Sequence, residues 1–280
     1  SKSREIICTK RLGENIVGRV SQMDYYNNGQ LQYIFNSTTH VFMLDRAGND
    51  AASYPLRLSH DATAGLTLIK SGHSYRYFVP CNNVAVYGYE ANGKPLSGWS
   101  PKGGMGMISR SLQVINTKKG DALLAFNDNG KLMLLGSKGD MKWSVDNLPL
   151  ISQDFSVVEM GDDFLVMSAA GNQVIEISSD GNDKIKPLVD SAGSFVAIAT
   201  SDTGYQYFFS GLHDVRSYDG NGEFKNAVSL KSDIINGINI TDIAGEKYLL
   251  VKDASAGKIL VYDLSLKAVA EYPVTSTDLF

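Results

Sequence analysis

Short stretches of alternating apolar and polar residues run along the whole chain, and they recur as a unit roughly every 44 residues. Each repeat is a strand-like segment, a turn and a second strand-like segment, at 41–56, 84–101, 132–145, 174–189, 215–230 and 259–274. The sixth turn, 264–267, keeps the phase without a glycine, whereas the other five carry one: Gly48, Gly93, Gly139, Gly181 and Gly222. A repeat of this length built only from strands predicts a β-propeller.

Each repeat is predicted to hold four strands. They are 18–25, 32–35, 41–44 and 53–58 in the first repeat, 155–160, 164–168, 174–177 and 185–189 in the fourth, and 195–200, 206–209, 215–218 and 224–229 in the fifth. The second strands are apolar on both faces, which is typical of a strand covered on both sides. No stretch shows the 3.6-residue period and the caps of a helix. The sequence predicts an all-β β-propeller of six four-stranded blades with almost no helix.

Closure of the ring leaves alternatives open. Residues 5–12 read as one further strand, although 268–274 already supply a fourth strand to the last repeat. Either the N-terminal strand adds to the outside, or the C-terminal strand strays, or a seventh blade is partial. We favour six blades.

Composition adds limits on domain number and on partners. The repeats fill the 280 residues without a Pro/Ser-rich or charged linker, so we expect a single domain, 1–280. The net charge of −4 is spread along the chain, which argues against a nucleic-acid partner. No apolar run is long enough for a transmembrane segment.

The two cysteines, Cys8 and Cys81, are too few for a disulfide framework or a zinc site. Both lie in or beside apolar strands, so we expect each to be a small buried hydrophobe. Whether they pair depends on the distance between them in the fold.

The third repeat ends in a Gly-x-x-x-Trp pattern, Gly139 to Trp143. This pattern is similar to the repeat of quinoprotein-type propellers, in which the Trp docks one blade on the next. The resemblance implies that Trp143 is buried between two blades. None of the family's cofactor-binding residues has a match here, so no cofactor is expected.

A second resemblance covers nearly the whole chain and is carried by residues 22–36, 44–49 and 87–99. These stretches resemble bacterial envelope proteins of unknown function that contain a propeller domain. The resemblance implies a fragment of a larger exported protein, periplasmic or on the cell surface. It implies no activity, because the family has none assigned.

Local motifs for chemistry are few. The four histidines do not have the spacing of metal ligands. His40 and His213 begin third strands at the same phase of two repeats, and we expect turn histidines that face water. The acidic stretches 180–183 and 219–223 are interpreted as hairpin turns because they are too short for a calcium loop. Residues 103–107, rich in Gly and Met, form either a flexible loop or a mobile flap.

Propellers commonly bind ligands on the face formed by the loops that leave the outer strands and those that join the second and third strands, an argument by fold analogy. Among the polar residues of those loops, we select as ligand-binding candidates His60, Asp61, Lys102, Gln153, Asp154, Asp190, His213 and Asp233. We expect ligand binding there, with no catalytic or metal-ligating residue.

Two functions are compatible with these features of the sequence. The first is a non-catalytic binding or scaffolding propeller whose ligand is an unidentified protein or glycan. The alternative is a lyase or hydrolase acting on carbohydrate at the central funnel. Histidines and carboxylates within hydrogen-bond reach of one another in the funnel would favour the enzyme.

Overall fold

Antiparallel strands make up all the regular secondary structure of the computed structural model in the residues that it describes. These are 8–100, 105–117, 120–149, 155–160, 163–170, 173–187, 195–201, 204–211, 213–230 and 235–273. No helix occurs in them. The expectation of an all-β chain is therefore confirmed.

The chain forms two compact units, Ser1–Leu148 and Pro149–Phe280. Unit 1 holds three sheets, which we call blades 1 to 3. Blade 1 is β1 (Val17–Met23), β2 (Gln32–Asn36), β3 (His40–Leu44) and β4 (Leu56–Arg57); blade 2 is β5 (Thr67–Ser71), β6 (Ser74–Cys81) and β7 (Ala85–Glu90); blade 3 is β8 (Gln113–Thr117), β9 (Gly120–Phe126), β10 (Leu132–Leu135) and β11 (Met141–Val145).

Unit 2 holds blades 4 to 6, each a meander of four consecutive strands. Blade 4 is β12 (Ser156–Met160), β13 (Asp163–Ala170), β14 (Gln173–Ser178) and β15 (Asp183–Pro187); blade 5 is β16 (Phe195–Ser201), β17 (Gly204–Ser210), β18 (Asp214–Asp219) and β19 (Phe224–Ser229); blade 6 is β20 (Ile235–Ile243), β21 (Glu246–Asp253), β22 (Lys258–Asp263) and β23 (Ala268–Pro273). The six sheets confirm the predicted number of blades.

Blade 2 differs from the other five sheets because its fourth position holds no strand. An isolated bridge between Tyr89 and Pro95 marks that position. Leu96 donates its backbone N–H to Gly88 O at 2.9 Å, and the indole Nε1 of Trp99 donates to Val86 O at 2.9 Å. A turn and an indole thus provide hydrogen bonds that a fourth strand would have made.

The sequence predicted a strand at each end of the chain, and both could not take the same edge position in the last blade. The structure shows a strand only at the C-terminal end of the described residues. β23 is the fourth strand of blade 6, whereas residues 8–12 form no strand and 1–7 lie outside the described residues. The segment from Cys8 instead lies along blade 1, with Lys10 paired to Asp50 and Cys8 beside Gly48. Cys8 is exposed, so the prediction of a buried thiol is wrong for it and confirmed for Cys81; both thiols are free.

The second strands of the middle blades, β6 and β17, pack against both neighbouring blades of their unit because successive side chains of a strand point to opposite faces. In β17, Tyr207 and Phe209 belong to the core shared with blade 4, and Phe208 belongs to the core shared with blade 6. In β6, Tyr77 packs towards blade 1 and Phe78 towards blade 3. The predicted apolar character of both faces is confirmed.

One hydrogen-bond pattern recurs in the turn between the third and fourth strand positions of every blade, here called the C–D turn. The first turn residue donates its N–H to the carbonyl four residues later, as in Asp45 to Asn49 at 2.9 Å and Asp263 to Lys267 at 3.0 Å. The fourth turn residue is a glycine with positive φ in five blades and Leu266, with φ of 64°, in blade 6. The glycine is therefore replaceable, although the backbone conformation is kept.

Trp99 docks blade 2 on blade 3, and it is more deeply buried than Trp143. Trp143, in β11, is only partly buried, whereas Trp99 is 9% exposed and packs on Phe78 with a ring-centroid distance of 4.7 Å. The same indole lies against Gly139, where an added Cβ would come within 3.2 Å of it. The prediction that Trp143 is buried is therefore wrong, and the aromatic residue that packs on the turn of blade 3 comes from the preceding blade.

We expect Trp99→Ala to lower the free energy of unfolding by about 3–5 kcal/mol, because it removes a large buried ring from the core of blades 2 and 3. The matched variant Trp143→Ala removes a partly exposed indole and should cost markedly less. Urea unfolding followed by circular dichroism measures both. Equal costs for the two variants would contradict the assignment of Trp99 as the docking residue.

Alkaline pH should destabilise unit 1. Burial raises the pKa of Tyr54 and of Tyr89 to about 12 and raises that of Tyr77 further. In the unfolded chain these tyrosines ionise near pH 10. The stability gained from keeping them neutral in the fold is therefore complete below pH 10 and is lost as the pH rises towards 12. Urea unfolding at pH 8, 10 and 11.5 should show a smaller loss in Tyr89→Phe than in wild type. The exposed-residue control Tyr272→Phe should behave as wild type.

Candidate functional site

In unit 1 the loops at one end of the blades are joined by hydrogen bonds between blades. We call residues 37–40, 58–66, 82–84, 105–112 and 127–131 the loop face. Leu58 N donates to Thr39 O at 2.8 Å, and Asn82 N donates to Asp61 O at 2.8 Å. The loop 58–66 therefore connects the second loops of blades 1 and 2.

The next connection, 105–112, is tied to its neighbours in the same way. Asn127 donates its side-chain amide to Met105 O at 2.6 Å, and Asp128 N donates to Met107 O at 2.9 Å. Thr63 Oγ1 donates to Ile108 O at 2.6 Å. Met105 is buried in the core of blades 2 and 3, so it is a packing residue and not an apolar contact of a mobile flap. Residues 103 and 104 lie outside the described residues.

Two of the predicted ligand-binding residues, His60 and Asp61, lie on this loop face and are exposed. The imidazole of His60 stacks on Tyr87, with ring centroids 5.7 Å apart and planes 22° apart. Asn83 donates its side-chain amide to Tyr87 Oη at 2.7 Å. Nothing in the sequence indicates that His60 stacks on Tyr87, because a stack between residues far apart in the chain leaves no local pattern. The arrangement offers a flat ring surface beside a carboxylate and an amide.

Of the other six predicted ligand-binding residues, only His213 lies in the part of the chain that the structure describes. Lys102, Gln153, Asp154, Asp190 and Asp233 lie outside the described residues. His213, in unit 2, is exposed.

The predicted common phase of His40 and His213 is wrong by one residue. His40 is the first residue of β3, whereas Asp214 is the first residue of β18 and His213 precedes it. The backbone contacts agree: Leu230 N donates to His213 O as Leu58 N donates to Thr39 O. Because alternate residues face opposite sides of a strand, the two histidines occupy different faces of their blades.

His40 also differs from the expected water-facing turn residue, because it is half-buried against Glu14. Its Nδ1 lies 2.8 Å from Glu14 Oε1, and Thr39 Oγ1 donates to the same carboxylate at 2.8 Å. Thr39 N donates to Glu14 Oε2 at 3.3 Å. Glu14 stands well before β2 in sequence and lies in no motif, so no sequence signal pointed to it. The carboxylate fastens the N-terminal segment to blade 1.

These contacts stabilise the ionised form of Glu14. Hydrogen bonds from the side chains of Ser37, Thr39 and His40 lower its pKa to about 2. Its contribution to stability is complete above the unfolded pKa near 4.5 and is lost as the pH falls towards 2.

The acidic turns use their carboxylates within the turn, as the turn interpretation predicts. Asp219 Oδ1 accepts the N–H groups of Asn221 and Glu223 at 3.0 and 2.9 Å. An ion pair with Lys225 and these hydrogen bonds lower the pKa of Asp219. No group of three or more His, Cys, Asp or Glu able to hold a metal occurs among the described residues.

The first strands of blades 1 to 3 begin in close backbone contact. A Cβ added at Gly65 would lie 2.7 Å from Gly18 Cα and 2.9 Å from Ser111 Oγ. Only small residues fit at these three positions. Gly18 and Gly65 therefore have no room for a side chain.

Comparisons with known proteins identify the fold. No protein-family model and no curated protein matches the chain. Among solved structures, BBS1N, crystallised in complex with ARL6DN, is similar with a TM-score of 0.65 and 13% identity over 94% of this chain and 82% of that one. BamB from Moraxella catarrhalis gives 0.61 and 15% identity over 95% and 76%, and virginiamycin B lyase from Staphylococcus aureus gives 0.59 and 13% over 94% and 86%.

These three structures are β-propellers, so the predicted fold is confirmed. Identities of this size carry no information on activity or partner. The resemblances to envelope proteins and to quinoprotein repeats remain predictions. No helix long and apolar enough to cross a membrane occurs in the part of the chain that the structure describes.

We expect Glu14→Gln to release the N-terminal segment from blade 1, because a neutral amide is a weaker acceptor than the carboxylate. Trypsin should then cleave after Lys10 or Arg11 several-fold faster than in wild type, as measured by mass spectrometry at matched times. Glu90→Gln, a change outside this cluster, is the control. Unchanged cleavage in Glu14→Gln would show that other contacts hold the segment.

Proposed function

We propose that the chain is a single non-catalytic β-propeller binding domain, 1–280, of a larger exported envelope protein. The observation that supports this best is the loop face of unit 1. Its backbone groups are tied to one another between blades, while the side chains of His60, Asp61 and Asn83 are exposed. Loops held on a rigid scaffold are the usual place for binding residues.

The rigidity of the loop face favours binding in energetic terms. A loop that is free in solution must be ordered when a ligand binds, and that ordering weakens the affinity. Here Leu58, Ala62 and Asn82 already donate their N–H groups to loops of the adjoining strands. A ligand would therefore meet a surface that needs little rearrangement.

The chemistry of the exposed groups suits a protein surface or a glycan. The stacked rings of His60 and Tyr87 offer an apolar plane, and Asp61 and Asn83 offer acceptors and a donor for hydroxyl or amide groups. One structural neighbour, BBS1N, was crystallised with the protein ARL6DN. A net charge of −4 makes nucleic acid an unsuitable partner.

The Glu14–His40 pair, which places a histidine beside a carboxylate, is assigned to structure and not to catalysis. Both oxygens of Glu14 accept hydrogen bonds from Thr39 in addition to the imidazole contact. Because these hydrogen bonds occupy both oxygens of Glu14, we assign to its carboxylate the role of holding the N-terminal segment on blade 1. The alternative function, a carbohydrate lyase or hydrolase, is tested against the binding function in the experiment below.

The test uses photo-cross-linking for protein partners and a polysaccharide panel for glycans. A benzophenone amino acid placed at position 61 should form a discrete adduct in cells of the source organism, or His60→Ala should weaken binding to a panel polysaccharide at least tenfold, about 1.4 kcal/mol. No polysaccharide should be cleaved.

The matched control is His73, an exposed histidine in the β5–β6 turn at the opposite end of blade 2. A benzophenone at position 73 should give no adduct, and His73→Ala should bind as wild type. Cleavage that His40→Ala abolishes would establish the enzyme instead. Equal effects at positions 60 and 73 would show that the loop face is not the binding surface.

A further inference from the structure

The exposed surface of the loop face carries no large apolar side chain. Those that are exposed in the described residues lie on strands, in the β1–β2 turn and at Ile16, and none belongs to the loop face. A protein interface takes most of its binding energy from a few anchors near its centre, most often aromatic residues and arginine. The loop face therefore offers no large apolar anchor to a protein partner.

A group of exposed polar side chains lies where the loops of blades 1 and 2 meet. Asn82 N donates to Asp61 O at 2.8 Å and Ala62 N donates to Thr38 O at 2.7 Å, so three loops are joined at this point. We call this place the blade 1–2 junction. Its exposed side chains are those of Thr38, Ser59, His60, Asp61, Asn82 and Asn83.

The blade 1–2 junction has an aromatic surface that the core holds in place. Tyr87 is partly buried and packs on the core shared by blades 1 and 2, which lies within unit 1. It covers one face of the His60 imidazole, with ring centroids 5.7 Å apart. Because His60 is exposed, the opposite face of the imidazole is open to a ligand.

Groups able to form hydrogen bonds stand beside this ring. The side chains of Asp61 and Asn82 make no hydrogen bond within the described part of the chain. Asn83 donates its amide N–H to Tyr87 Oη at 2.7 Å, so the phenol can still donate its O–H and Asn83 Oδ1 can still accept. The junction thus offers both acceptors and donors next to an open ring face.

The charge of the junction limits its ligands further. Segments 37–40, 58–66 and 82–84 contain one carboxylate, that of Asp61, and no Lys or Arg. Like charges in contact repel, so an acidic ligand is disfavoured here. A cationic ligand gains little, because an exposed ion pair contributes at most about 1 kcal/mol. The junction therefore favours a neutral ligand that is rich in hydroxyl groups.

We propose that the blade 1–2 junction binds a neutral pyranose unit of a glycan, an inference that rests on the proposed binding function of the loop face. The C–H groups on one face of the sugar ring would pack on the open face of His60, because the π face of an aromatic ring is electron-rich. Neighbouring hydroxyl groups would donate to the carboxylate of Asp61 and accept from the amide of Asn82.

The experiment titrates the whole chain with three neutral trisaccharides, cellotriose, mannotriose and galactotriose, and with their uronate counterparts. The side-chain amide signals of Asn82 and Asn83 are followed by ¹⁵N NMR. We expect at least one neutral trisaccharide to give saturable shifts of both signals and to bind several-fold more tightly than its uronate. A glucosamine trisaccharide, which is cationic, should bind no more tightly than cellotriose.

Substitutions at two positions test the roles of the ring and of the charge. His60→Phe keeps an aromatic plane and should retain binding of the neutral trisaccharide, whereas His60→Ala should weaken it several-fold. Asp61→Asn removes the charge and should narrow the preference for the neutral trisaccharide over its uronate. Asp128→Asn, which changes an exposed aspartate in the blade 3 part of the loop face, is the matched control and should keep that preference.

Absence of saturable shifts with all three neutral trisaccharides would overturn the proposal, as would a uronate or a glucosamine trisaccharide that binds more tightly than its neutral counterpart. Equal weakening by His60→Phe and His60→Ala, or equal effects of Asp61→Asn and Asp128→Asn, would also overturn it. A protein adduct at position 61 without any shift by a sugar would overturn the glycan ligand and leave the proposed binding function standing. Absence of both the adduct and the shifts would overturn both.

Discussion

The stability of the middle sheet of each unit depends on burial of both of its faces by neighbouring sheets. Phe208 is fully buried on the side of blade 6 and Phe209 on the side of blade 4, so blade 5 alone would expose both rings. Burial of such side chains is the main favourable term in folding. A blade of this chain is consequently a structural element and not an independent folding unit, and the residues that join blades matter more than those within one sheet.

The two ends of the blades meet this requirement in different ways. At the turn end, the aspartates of the C–D turns are used locally, as when Asp263 accepts the N–H groups of Ser265 and Lys267 in its own turn. At the loop end, the bonds join one blade to the next, as when Thr67 Oγ1 donates to Leu112 O at 2.7 Å. A substitution of Asp263 thus affects one hairpin, whereas a substitution of Thr67 affects the contact between two blades.

Sequence reasoning succeeded where the controlling physics is local. The bounds of β12 and β19 follow from alternation with a period of two, and the turns follow from the need for a positive φ. It failed where the controlling contact joins distant residues. Nothing near Glu14 or His40 indicates that they touch, and the stack of His60 on Tyr87 has no spacing that could be recognised. Five of the eight predicted ligand-binding residues lie outside the described residues, so their role stays a prediction.

The error over the docking tryptophan shows how a local motif can mislead. Trp143 has the expected Gly-x-x-x-Trp spacing, but it lies in the outer strand β11 and is only partly buried. Trp99 lies beyond a turn that takes the place of a strand in blade 2, and that detour gives the indole the reach to touch both Val86 and Gly139. The absence of a fourth strand and the presence of the docking indole are therefore one structural solution. In other chains, a docking aromatic residue should be sought directly after an irregular fourth strand. The residues that it contacts should be sought in the C–D turn of the following blade.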